Sequence, residues 1–137
     1  MRKRRKSREL VLQALYQSEI IQEDTVHSLP QLSDDFSPDE RKDEFAERIV
    51  AGVREHKHEI DRLIEHYSEN WRLDRMPIID RSILRMAIYE LLYCEEIPPK
   101  VTLNEAIDLG KRYGAEDSGS FINGILDQVR KNAGREA

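Results

Sequence analysis

The segment from Ile78 to Cys94 constrains the fold more than any other part of the chain, because its apolar residues recur at intervals of three and four. This spacing matches the 3.6-residue period of an α-helix and predicts a helix with a wide apolar face. Pro98 and Pro99 follow closely and end it. No strand-like alternation appears elsewhere, and 36% charged residues with only six Gly and five Pro favour an all-α fold. The apolar face consists of Ile79, Ile83, Leu84, Ala87, Ile88, Leu91 and Leu92.

The segment from Arg8 to Ile21 predicts a first helix that has apolar residues on two sides. One stripe contains Leu10, Val11, Ala14, Leu15 and Ile21, and the other contains Leu12, Tyr16 and Ile20. A helix with two apolar sides is expected to pack between two groups of helices. We therefore predict that this helix is central to the fold.

Start and stop signals divide the rest of the chain into further helices. The predicted boundaries are a loop over 22–37, a helix start at Ser37-Pro38, a break between His56 and His58, a capping box of Thr102 and Glu105, a stop at Gly114 and a last helix from Ser118. Six helices in 137 residues predict a compact bundle of two three-helix groups that share the first helix.

Composition and motifs favour a binding protein over an enzyme. The chain has no run of 18 apolar residues and no secretory signal pattern, so we expect no membrane span and a cytoplasmic location. The single cysteine, Cys94, fits a reducing compartment. No nucleotide-binding or catalytic motif occurs, and the four histidines lack the spacing of a metal site. We expect no metal and no cofactor. The histidines are His27, His56, His58 and His66.

Six of the first eight residues are basic, whereas the remainder of the chain is acidic. Removing these six from the 22 Lys and Arg leaves 16 against 27 Asp and Glu, a net charge of −11. A short basic run can be a solubilising tail, but this one leads directly into a helix and is suited to follow a phosphate backbone. We interpret residues 1–8 as a basic RNA-binding extension of a single all-helical domain over 9–137. Its cations are Arg2, Lys3, Arg4, Arg5, Lys6 and Arg8.

Single-stranded RNA also needs flat side chains on which bases can stack. Phe121 lies at the edge of the apolar stripe of the last helix, where its ring can be half exposed or can complete the core. Tyr16 and Tyr67 are further candidates, although their positions favour the core.

The segment IPPKVTLNEAIDLGKRYGAEDSGSFINGIL, residues 97–126, resembles the signature of the NusB family of transcription antitermination factors. DRSILRMAIYELL at 80–92 and RELVLQALYQ near residue 8 extend the resemblance over essentially the whole chain. The family implies an all-helical fold of two three-helix bundles. It also implies binding of single-stranded boxA RNA from ribosomal RNA operon leaders, together with the ribosomal protein NusE, in the transcription elongation complex.

The resemblance also assigns roles to particular residues. Arg4, Arg5 and Arg8 resemble the arginine-rich RNA contacts, and Phe121 resembles the aromatic that meets RNA. Asp117 belongs to the acidic pair before the last helix, where its charge is better suited to tuning affinity than to supplying it. Asp80 resembles the acidic position that faces NusE and is expected on an exposed side, unless it only stabilises the helix N-terminus.

One departure from the family pattern concerns a basic contact. Many relatives carry lysine where this chain has Ser120, and the sequence leaves open whether Lys111 or Arg112 replaces that contact.

Two other functions remain open at this point. NusB-like domains also occur as the RNA-binding part of ribosomal RNA methyltransferases, but this chain contains no catalytic motif. The basic segment could instead meet an acidic protein, which would make the chain a protein-only adaptor. The sequence does not distinguish a monomer from a homodimer.

Overall fold

The computed structural model describes residues 2–21, 43–69 and 71–132. Every regular element in these ranges is helical, which confirms the all-α prediction. The elements are α1 (Arg2–Ile21), α2 (Glu44–Glu55), α3 (Lys57–Tyr67), a 3₁₀ turn (Leu73–Arg75), α4 (Ile78–Tyr93), α5 (Pro99–Tyr113) and α6 (Ser118–Asn132). No helix among these residues is long and apolar enough to cross a membrane.

The central helix is α4, and the prediction that the first helix has this role is wrong. Eleven of the 16 residues of α4 are buried, and α4 packs against all five other helices of the described chain. In contrast, α1 exposes Gln13 and Tyr16 on the side opposite its buried residues. A helix that is buried on nearly all sides has other helices packed around it.

The helices form two groups of three, as predicted. On one side α2 packs against both α1 and α3, and on the other side α4, α5 and α6 pack against one another. One continuous core joins both groups, and Cys94 lies in it. The fully buried residues of α4 that fill this core include Ile83, Leu84, Ile88 and Leu91.

Three of the predicted helix boundaries agree with the structure. The break at His56 separates α2 from α3, α5 ends at Gly114, and α6 begins at Ser118. The predicted helix start at Ser37 lies outside the described residues. Within them, α2 begins after Asp43, whose backbone is extended and whose Oδ1 accepts a hydrogen bond from the Ala46 amide at 2.9 Å.

The predicted capping box at the start of α5 is wrong. α5 begins at Pro99, three residues before Thr102, because proline fits the first helical position, where its missing N–H is not needed. The side chains of the expected capping pair make long-range contacts instead. Thr102 Oγ1 donates to Glu90 Oε1 at 3.0 Å, and Glu105 accepts from Arg5.

Candidate nucleic-acid interface

The basic segment forms the first two turns of α1, since this helix begins at Arg2. Arg4 is exposed, and its guanidinium carbon lies 4.0 Å from the centre of the Phe45 ring. Arg5 is half-buried and spans to α5, where its Nε lies 2.7 Å from Glu105 Oε1 and its Nη2 lies 3.0 Å from Asp108 Oδ2. Arg5 therefore fixes the start of α1 against α5 and presents Arg4 to solvent beside it.

The prediction that Arg8 contacts RNA is not compatible with its position. Its side chain is 4% exposed and makes a bidentate ion pair with Glu90, at 2.9 Å from Nε to Oε2 and 2.8 Å from Nη2 to Oε1. Burial opposes the charge, but the hydrogen bonds and the charge of Glu90 outweigh it and raise the pKa of Arg8. Arg8 therefore joins α1 to α4 inside the protein.

The end of α5 adds two exposed cations and one exposed ring to this surface. Lys111 and Arg112 are exposed, and Tyr113 is 44% exposed. Glu9 of α1 accepts a hydrogen bond from Tyr113 Oη at 2.8 Å and lies 3.3 Å from Arg112 Nη1. Sequence reasoning missed Tyr113, although an aromatic directly after Lys111 and Arg112 in the last helical turn could have indicated it. We call Arg4, Arg5, Lys111, Arg112 and Tyr113 the basic surface.

Phe121 lies on another side of α6 from the basic surface. Gly119 packs against α5, where an added Cβ would lie 3.0 Å from Lys111 Cγ. Phe121 is two residues further on, about 200° around the helix, and its ring centre lies 5.7 Å from that of Trp71. The exposed Ser120 therefore lies between Lys111 of the basic surface and Phe121.

A cleft of about 570 Å³ lies beside Phe121, between the end of α3, the residues after it and α6. Four of its lining residues carry rings, and we call this feature the aromatic cleft. Tyr67, a predicted candidate, is half-buried in it, whereas Tyr16 lies on α1 and is 39% exposed. The rings are those of His66, Tyr67, Trp71 and Phe121.

The prediction that Asp80 lies on an exposed surface is wrong. Asp80 is 4% exposed, and its Oδ1 accepts a hydrogen bond from Ser118 Oγ at 2.8 Å, which ties the start of α4 to the start of α6. Burial raises the pKa of the Asp80 carboxyl, the Ser118 hydrogen bond lowers it, and the charge of Asp117 raises it further. Asp117 itself is exposed, directly before α6.

Asp80→Asn is expected to reduce the pH dependence of stability without loss of the Ser118 hydrogen bond. Since the pKa of Asp80 is raised in the folded chain, its contribution to stability is full below about pH 4, the value of an unfolded aspartate, and is lost as the pH rises through the folded pKa. The asparagine variant does not lose stability in this way, because its side-chain amide does not ionise. Urea unfolding between about pH 3 and pH 7 measures the difference. Parallel stability curves for both chains would contradict the buried position of this carboxylate.

Some of the predicted candidates have no described side-chain position. The side chains of Arg2 and Lys3 and all of His27 lie outside the described part of the chain. Within residues 2–21, 43–69 and 71–132, no group of three His, Cys, Asp or Glu side chains is arranged to hold a metal ion.

Comparison with known proteins gives a consistent family. The NusB family profile matches residues 5–131. The transcription antitermination protein NusB of Syntrophus aciditrophicus is 48% identical over 129 residues, which cover 94% of this chain and 80% of that protein. Its counterpart from Myxococcus xanthus is 48% identical over 130 residues, which cover 92% of this chain and 93% of that protein.

Solved structures agree with this assignment. T. maritima NusB superposes with a TM-score of 0.88 at 41% identity, covering 96% of this chain and 93% of that one. A complex of the antitermination factors NusB and NusE with double-stranded RNA contains a chain with a TM-score of 0.84 at 26% identity. That match covers 96% of this chain and 98% of the other.

Proposed function

The chain belongs to the NusB family, and from this premise we propose that it is a transcription antitermination factor that binds boxA RNA together with NusE. The observation that carries the proposal is the near full-length match to proteins named for antitermination. The basic surface supports it, because its exposed cations and its exposed tyrosine can meet phosphates and bases. We further propose that it acts in the transcription elongation complex in the cytoplasm and has no enzymatic activity.

The proposed RNA path begins at Arg4 and runs over Lys111 to Phe121. Arg5 has its charge engaged by Glu105 and Asp108, so it positions this path more than it supplies free charge. The overall net charge of −5 disfavours indiscriminate binding of RNA. Affinity therefore has to come from this local surface.

A titration with boxA RNA, with and without NusE, tests the proposal. We expect boxA RNA to compete better than scrambled RNA of the same length. If NusE tightens RNA binding by a given factor, RNA must tighten NusE binding by the same factor, because the coupling of two sites is reciprocal. Equal competition by scrambled RNA would show general polyanion binding instead.

The solved relative holds double-stranded RNA, whereas stacking on rings requires unpaired bases. The competition should therefore include a duplex of the boxA sequence. We expect the single strand to compete better than the duplex.

Ser120→Lys is expected to steepen the salt dependence of RNA binding. Ser120 is exposed between Lys111 and Phe121, so a lysine there adds one cation to the proposed path. The slope of log affinity against log salt should become steeper by about 0.7, the value for one phosphate contact on a single strand. Fluorescence anisotropy at several salt concentrations measures it. Ser120→Gln is the uncharged control and should keep the slope of the parent chain.

Asp117→Asn is expected to leave RNA binding intact or to tighten it. The side chain is exposed before α6, and its charge repels phosphate. The same change should lower the pKa of Asp80, because the charge of Asp117 raises it in the parent chain. RNA titration and a pH series of unfolding measure the two effects. A large loss of RNA affinity would mean that Asp117 supplies an attractive contact.

A further inference from the structure

The aromatic cleft leaves part of its ring surface exposed to solvent. The Trp71 side chain is 53% exposed, and its ring lies 5.7 Å from that of Phe121 at an angle of 51°. On the α3 side, the rings of His66 and Tyr67 meet edge to face at 4.6 Å. A tryptophan normally buries most of its area, so one left exposed beside other rings indicates a surface that binds something.

On the α6 side, one of the residues that line the cleft is a glycine, so no side chain covers the helix backbone there. Ser120, Gly124 and Gln128 follow each other at four-residue intervals and share one side of the helix. A Cβ added at Gly124 would have no heavy atom within 4 Å, whereas one added at Gly52 or Gly110 would meet side chains closer than 3 Å. Packing therefore explains those two glycines and does not explain Gly124. Its missing side chain lets a flat ring lie against the helix.

The cleft also offers hydrogen-bonding groups on its α6 side. Among the described residues, no hydrogen bond is made by the Ser120 hydroxyl or by the Gln128 amide nitrogen, while Gln128 Oε1 accepts from Asn132 at 3.1 Å. A hydroxyl and an amide donor match the donors and acceptors at the edge of a nucleobase.

The charges near the cleft favour a base over a phosphate as the main occupant. Arg72 and Arg75 line an adjoining hollow with Trp71, but Glu69 lies there too. Arg72 Nη2 also lies 3.0 Å from Asp74 Oδ2 in a well-exposed pair. Such a mixed patch gives little net attraction for phosphate, so the rings must supply most of the affinity.

We propose that the aromatic cleft binds one unpaired base of the RNA, stacked on the Trp71 ring with its edge toward Phe121 and lying over Gly124. This inference rests on the proposed RNA-binding function and adds to it a single-base pocket beyond the basic surface. A duplex cannot fill the pocket, because its bases are stacked and paired.

Trp71 is the only tryptophan of the chain, so its fluorescence reports directly on this cleft. The full chain is titrated with single-stranded boxA RNA and with a duplex of the same sequence. We expect the single strand to quench Trp71 and the duplex to leave it nearly unchanged. A silent Trp71 at saturating single-stranded RNA would overturn the inference.

Gly124→Leu blocks the cleft at a position where the fold has room. We expect it to weaken single-stranded RNA binding by about 5- to 150-fold, the loss of affinity that corresponds to one base–ring stack. Asn123→Leu is the matched control, since Asn123 is exposed on the same helix and does not line the cleft, and it should bind RNA like the parent chain. Both variants should melt at or above the parent temperature, because leucine favours a helix more than glycine or asparagine does.

The outcomes separate this inference from the proposed function. RNA binding at parent affinity by Gly124→Leu overturns the base pocket and leaves the basic surface as the RNA site. RNA binding by none of the chains, the parent included, overturns both proposals. Quenching of Trp71 by NusE and not by RNA also overturns the base pocket, because the cleft would then be a protein-docking site.

Discussion

Arg8→Met is expected to lower the free energy of unfolding by about 3–5 kcal/mol, the cost of breaking a buried ion pair from one side. The variant leaves the Glu90 carboxylate, which is 1% exposed, without its bidentate partner. Within the part of the chain that the structure describes, the Thr102 hydroxyl still donates to it. Urea unfolding followed by circular dichroism measures the loss as a shift of the midpoint at constant slope.

Two controls separate burial of the charge from the presence of an arginine. Arg4→Ala, four residues away on α1, removes an exposed cation over the Phe45 ring and should cost no more than about 1 kcal/mol. A chain with Arg8→Met, Glu90→Leu and Thr102→Val removes the whole buried polar group and should recover most of the stability. A loss below about 1 kcal/mol for Arg8→Met alone would contradict the buried pair.

The apolar periodicity predicted α4 and α6 closely, because the residues of these helices repeat at three and four against a continuous core. It did not identify the helix through which the two groups pack against each other. Both α1 and α4 have apolar residues on two sides, and the difference depends on small or paired polar residues such as Ser82 and Glu90, which let α4 be buried all round. Sequence pattern does not reveal such pairing.

The basic segment illustrates why the site could be predicted only in part. Arg4, Arg5 and Arg8 are equivalent in the sequence, yet the first is exposed, the second spans to α5 and the third is buried. Arg5 pairs with Glu105 and Asp108, and Arg8 pairs with Glu90, so the positions of these two arginines depend on carboxylates that are 82 to 103 residues away in the chain. The capping box predicted at Thr102 and Glu105 is wrong for the same reason. Thr102 donates to Glu90 and Glu105 accepts from Arg5, and both partners are distant in the sequence. The sequence does not show that Trp71 and Gly124 line one cleft, because this depends on the packing of α6 beside the end of α3.

The second large effect concerns the cations at the start of α1. Neutralising Arg2, Lys3 and Arg4 together to glutamine is expected to make the slope of log affinity for boxA RNA against log salt shallower by about 2, since each phosphate contact on a single strand contributes about 0.7. At roughly 0.1 M salt this corresponds to about a 100-fold loss of affinity. Anisotropy titrations at four or more salt concentrations measure both quantities.

This variant tests the role of the segment more cleanly than removal of residues 1–6. The truncation also deletes Arg5 and so removes the hydrogen bonds that Glu105 and Asp108 accept from it. A matched control neutralises Lys57, Arg62 and Lys131, which are exposed on α3 and at the end of α6. It changes the net charge equally and should keep the steep slope. If both variants lose the same slope, RNA responds to total charge and the basic segment has no special role. If only the Arg2, Lys3 and Arg4 variant loses it, the start of α1 is the place where phosphates are bound.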